Sequence, residues 1–111
     1  MNTLTAIRLG HTVVWAFFVA CIVAIPLFTA RSDFRVAAVF AAIVACEVGV
    51  LALNGMRCPL TVIAARYTDD RRANFDICLP EWLARNNQRI FGALYVLSVL
   101  FLLLRWLHAT P

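Results

Sequence analysis

The sequence predicts an all-α membrane protein: three transmembrane helices, with a short amphipathic interfacial helix between the second and the third. Three observations carry this. The chain of 111 residues is 63% hydrophobic and only 14% charged, with a mean hydropathy of +0.83, whereas soluble domains usually carry about 25% charged residues. A chain this apolar has too little polar surface to stay dissolved, so lipid must solvate most of its sides. Its apolar residues gather into three runs, each near the length of about 20 residues that a helix needs to cross a bilayer. Its polar residues gather as tightly, most of them into one segment, 55–89. At this length the chain is a single integral membrane domain.

The first span is read as 11–29, nineteen residues without a charge. The lead before it, residues 1–10, is polar and carries Arg8. Pro26 falls in the last turn, where a proline kinks or ends a helix. A cleavable signal peptide is the competing assignment. The apolar run is long for one, and Phe28-Thr29-Ala30 lacks a small residue at its first position. The segment therefore reads as a retained helix.

After the turn at 30–35, the second span is read as 36–54, with Glu47 its one charge. Ala37, Ala41, Ala45 and Gly49 recur every four residues in it. They form a slowly drifting stripe of small side chains, of the kind that lets another helix backbone approach closely. Asn54-Gly55 suits a left-handed helix end, and Cys58-Pro59 opens the next element, since proline is favoured at the first helical position. Leu60, Ile63, Ala64 and Tyr67 then share one face of a short helix expected to lie along the membrane surface. Residues 68–74 form a polar turn. Glu81 and Arg85, spaced for an i,i+4 pair, mark a new helix start. The third span is read as 90–107. Its uncharged core, 90–104, is only fifteen residues, so Arg105 snorkels while Trp106 and His108 sit in the interface. That helix can run unbroken from about residue 80.

Charge sets the expected orientation. All ten basic residues are arginine. Arg8, Arg57, Arg66, Arg71, Arg72, Arg85 and Arg89 fall on the side of the N-terminus and the central segment, against Arg31, Arg35 and Arg105 on the other. The positive-inside rule puts the 55–89 segment and the N-terminus in the cytoplasm and the C-terminus outside. Arginines flanking apolar runs suit lipid headgroups, and no basic stripe interleaved with exposed aromatics points to nucleic acid.

Few residues could carry chemistry. Glu47 is the sharpest, because a carboxylate inside a span costs about 2.5–3.5 kcal/mol on insertion scales. Its depth, about 10 Å above Asn54 at 1.5 Å per residue, is matched on the third helix by Tyr95 and Ser98, and a hydrogen bond to one of them is expected. His11 lies near the same membrane face, where a lone histidine is ordinarily a solvated tip. As a haem or metal ligand it needs partners, and His108 is on the opposite side. Cys21 and Cys46 lie in apolar runs; Cys58 and Cys78 do not. His11, Cys58 and Cys78 match no zinc spacing. Cys58, at a helix start beside Arg57, is the best candidate reactive thiol. A reducing cytoplasm argues against a Cys58–Cys78 disulfide, whereas the inverted topology would favour one. There is no phosphate-binding loop, nucleophile elbow or paired-carboxylate pattern.

At Cys58-Pro59-Leu60-Thr61 the sequence resembles a family of small bacterial inner-membrane proteins of unknown function, whose hallmark is a Cys-Pro-Leu-Thr box at the end of a spanning helix. The resemblance extends to His11, to Glu47 before the box, and to Phe75, Asp76, Leu79 and Pro80 after it. It implies a bacterial inner-membrane location, and that His11, Glu47 and the box belong together. It implies no activity.

The expected function is accordingly that of an accessory or structural subunit, or a homo-oligomer, with no catalysis of its own and with lipid and other membrane subunits as partners. The alternative is a membrane redox or cofactor protein holding a metal, haem or quinone through Cys58, Cys78 and His11.

Overall fold

The structure, a computed structural model, describes residues 2–109. Among them the chain is helices and turns without strands: α1 (Thr3–Ala30), α2 (Phe34–Leu53), α3 (Pro59–Ala64) and α4 (Glu81–Ala109). Helices α1, α2 and α4 are long and apolar enough to cross a membrane. The bundle is 57 Å long and 25 by 23 Å across.

Helix α1 begins eight residues before the expected span. The Asn2 side chain caps it, accepting from the Thr5 N–H at 2.7 Å, so the polar lead is the first two turns of the same helix. Pro26 does not end it. The helix runs on to Ala30, with the Thr29 hydroxyl bonded to the Ile25 carbonyl at 2.7 Å. Ser32, with φ 62°, turns the chain. Asp33 then caps α2 through the Val36 N–H.

Helix α1 is the central element: α2 and α4 both pack along it, and α3 sits against its N-terminal half. The core forms two stacked layers. Cys21, Ile22 and Val44 are buried with Phe18, Phe40, Ile43, Phe91 and Tyr95 around them. Ile25, Ala37 and Leu102 form the next layer, closed by Phe28 stacked on Phe40 at 5.7 Å. Outward, Val13, Phe17, Leu27, Val39, Leu53 and Leu97 are exposed. A bundle with apolar side chains on both its inside and its outside is built for lipid.

After Leu53 the chain reverses at Asn54, Gly55 (φ 64°) and Met56 (φ 62°), with the Met56 N–H returning to the Leu51 carbonyl. Helix α3 does not follow its predicted apolar face. Ala64 is buried and Leu60 half-buried, but Ile63 and Tyr67 are exposed, and Tyr67 lies beyond the helix end. Helix α4 is unbroken from Glu81, which pairs with Arg85 at 2.6 Å.

Candidate functional site

The polar segment is tied back onto α1 at three levels. The Asp76 backbone carbonyl and carboxylate lie 3.1 and 3.5 Å from His11 Nδ1. The Cys78 N–H donates to the Thr12 hydroxyl at 2.9 Å. Trp15 Nε1 donates to Asn87 Oδ1, on α4, at 2.8 Å. His11 and Thr12 in one turn and Trp15 in the next lie on one side of α1, which is why a single helix anchors both the segment and the start of α4.

Local bonds hold the segment's own shape. Arg72 grips the Asp70 carboxylate at 2.8 Å. Arg71 donates to the carbonyls of Ala65, Thr68 and Asp70 and lies over the Phe75 ring. Asn74 donates to the Leu79 carbonyl, and Gln88 on α4 donates to the Met56 carbonyl.

Under this strap lies an open groove of about 490 Å³. It runs along α1 from His11 to Ile22, roughly 16 Å at 1.5 Å per residue, and its walls come from α2, α3, the segment and α4. One end is polar: His11, Arg57, Cys58, Thr61, Asp76 and Arg85. The remainder is largely apolar and aromatic, with Trp15, Phe18, Ile22, Val44, Phe91 and Tyr95. Glu47 lines it between these regions, half-buried and within electrostatic reach of His11.

The polar end is a connected cluster. Thr61 donates its hydroxyl to Asp76 Oδ2, and Cys58, the N-cap of α3 three residues before Thr61, lines the same end of the groove as His11. Both Asp76 groups near His11 Nδ1 are acceptors, so Nδ1 carries a proton and Nε2 is the nitrogen left for exchange. Burial alone would raise Cys58, but His11 and the nearby N–H groups of Leu60 and Thr61 outweigh it and leave the thiol below its ordinary value. Asp76 behaves alike. Burial pushes it up, the bonds from His11 and Thr61 pull harder, and the carboxyl lies below its usual range.

Several expected site residues fall elsewhere. His11 is no solvated tip: its side chain is only 14% exposed. Tyr95 donates to the Ala41 carbonyl at 2.9 Å, and among the described residues neither it nor Ser98, which is buried in α4, bonds to Glu47. Tyr95 meets the α2 backbone at Ala41, about one and a half turns from Glu47, and so does not pair with it. Asn54 is the exposed C-cap of α2, its side-chain amide donating to the Arg57 carbonyl at 2.7 Å. Cys78 is exposed, and all four cysteines are free thiols. Among the described residues no group of three or more His, Cys, Asp or Glu side chains is placed to hold a metal ion. The small-residue stripe divides, with Ala37 buried, Ala41 half-buried, and Ala45 and Gly49 exposed.

Two members of the cluster, Thr61 and Asp76, were not recognisable as chemical partners from periodicity or charge. Only their place in the box and the Phe-Asp element marked them. Comparison with protein-family models, curated proteins and solved structures finds no match to this chain.

Proposed function

We propose that this protein binds an amphipathic small molecule in the groove, its polar end against His11, Cys58, Thr61 and Asp76 and its apolar part along Trp15, Phe18, Phe91 and Tyr95. One observation carries the reading: a single concave site joins a half-buried cluster of convergent polar groups to an aromatic channel. Its size falls in the range of about 300–1,000 Å³ usual for small-molecule sites. The test is quenching of tryptophan fluorescence by a brominated fatty acid, with the protein in mild detergent. A saturable component is expected in the parent and lost in Trp15→Phe. Quenching that rises only in proportion to added fatty acid, unaltered by that substitution, would sink the reading.

The location proposed is a bacterial inner membrane, with the N-terminus and the 55–89 segment cytoplasmic and α3 lying at the interface. Seven arginines on that side against three on the other support the orientation, and the Cys-Pro-Leu-Thr box supports the membrane. Alkaline phosphatase fused after Ala109 is then active, and the same enzyme fused within 68–72 is not. The reverse pattern would invert the topology.

A second reading, an accessory subunit or homo-oligomer, is favoured by the outer face of α2. There Ala45, Cys46 and Gly49 leave a shallow strip exposed on a spanning helix.

A further inference from the structure

We propose that Cys58 is a nucleophile that accepts an acyl group from a thioester whose chain lies in the groove, with His11 as its base and Asp76 as the residue that positions His11. The inference rests on the groove being a binding site and deepens that reading by naming the ligand class.

The geometry has the parts that nucleophilic catalysis by a thiol requires: nucleophile, adjacent base, and a third group orienting the base. Cys58 and His11 both line the groove, and Cys58 caps α3 three residues before Thr61, whose hydroxyl bonds the carboxylate facing His11. Asp76, 3.5 Å from Nδ1, is itself fixed by the Thr61 hydroxyl, so the imidazole is held in one tautomer and one orientation. The other three thiols lack this. Cys21 is packed in the core, Cys46 faces outward on α2, and Cys78 is exposed. The lowered thiol value of Cys58 agrees with a thiolate formed at the expense of His11.

The walls define the donor. An acyl chain fits the aromatic channel toward Ile22 and Val44. Arg57, next to Cys58 in the chain, lines the groove and suits a phosphate-bearing carrier; Arg85 lines it too, paired with Glu81. In the reaction the Cys58 sulfur attacks the acyl carbonyl carbon while His11 takes the thiol proton. The bond from that carbon to the carrier sulfur then breaks, and His11 returns the proton to the departing carrier thiolate. The products are S-acyl-Cys58 and a free carrier thiol. One thioester replaces another, so the step needs neither oxidant nor energy source.

The experiment treats the purified full chain in mild detergent with palmitoyl-coenzyme A and reads intact mass, followed by peptide mapping. The expected product is a single acyl adduct on Cys58, released by neutral hydroxylamine and absent in Cys58→Ser. His11→Gln should slow its formation about a hundredfold, within the range ascribed to general acid–base catalysis. For Asp76, the rate in Asp76→Asn should move to higher pH and Asp76→Glu should restore it. A non-reactive thioether analogue, followed by Trp15 fluorescence, reports binding separately, and far-ultraviolet circular dichroism shows that each variant is folded. Analogue binding without an adduct overturns the acyl-acceptor role and leaves the groove reading intact. Acylation spread over Cys46 and Cys78, or unchanged in His11→Gln, overturns it too. Failure of the analogue to bind the parent removes both.

Discussion

At the scale of residues, the molecule concentrates its unusual chemistry on one carboxylate. Asp76 is 5% exposed, yet it accepts from Thr61 and faces His11, with Cys58 lining the same end of the groove. Its folded-state value is depressed below the ordinary 3.8. A depressed carboxyl contributes stability above its unfolded value and loses that contribution as pH falls through the folded one. The thermal midpoint in detergent should therefore be level from about pH 7 to pH 5 and fall below about pH 4. Asp76→Asn should lose about 1–3 kcal/mol at neutral pH, the usual cost of leaving buried partners unsatisfied, and show a shallower acid slope. Some slope should remain, since half-buried Asp70 is also held down, to about 2, by Arg72. A variant with the parent's full acid slope would show that Asp76 is not the group responsible.

At the scale of elements, what was legible was whatever depends on neighbours in sequence. The three spans, the turn expected at 30–35 and formed at 31–33, the Asn54-Gly55 reversal and the Glu81 helix start all follow from apolar run length and from cap or turn residues within a few positions. The errors have equally local causes. The polar lead and Arg8 make the span start at His11 in sequence, whereas the helix starts at Thr3, because Asn2 is a good N-cap and nothing in 3–9 breaks a helix. Pro26 marks a kink or helix end in the sequence, yet α1 runs on to Ala30. Inside a bilayer-length bundle, packing by Ile25, Thr29 and the Phe28–Phe40 pair carries the helix past it. Ile63 and Tyr67 were placed on a face that a six-residue helix is too short to develop. The candidate site was half legible. His11, Glu47 and Cys58 were singled out by type and position, and all three line the groove. Asp76 is 65 residues from His11 and 15 from Thr61, and separations of that size are fixed by tertiary packing, which no periodicity encodes.

At the scale of the whole molecule, the bundle is asymmetric: α1 is flanked by every other helix, while α2 and α4 each keep a broad outer face. Much of that face is Val, Leu and Phe and is satisfied by lipid, where burial against another protein gains little from the hydrophobic effect. Ala45 and Gly49 differ, because small residues let a second backbone approach closely enough for continuous dispersion contact. If copies of this chain associate there, the exposed Cys46 beside them lies at the contact, and mild oxidation in membranes should trap a disulfide-linked dimer. Gly49→Phe should abolish the trapped dimer while leaving the monomer folded, since even the first atom of a side chain there meets nothing within 4 Å. Intact groove binding in that variant would establish that the monomer survives. A dimer that forms equally well in Gly49→Phe would mean the copies meet elsewhere. No dimer in the parent would leave the outer face of α2 to lipid, and the accessory-subunit reading would then need a different protein to cover it.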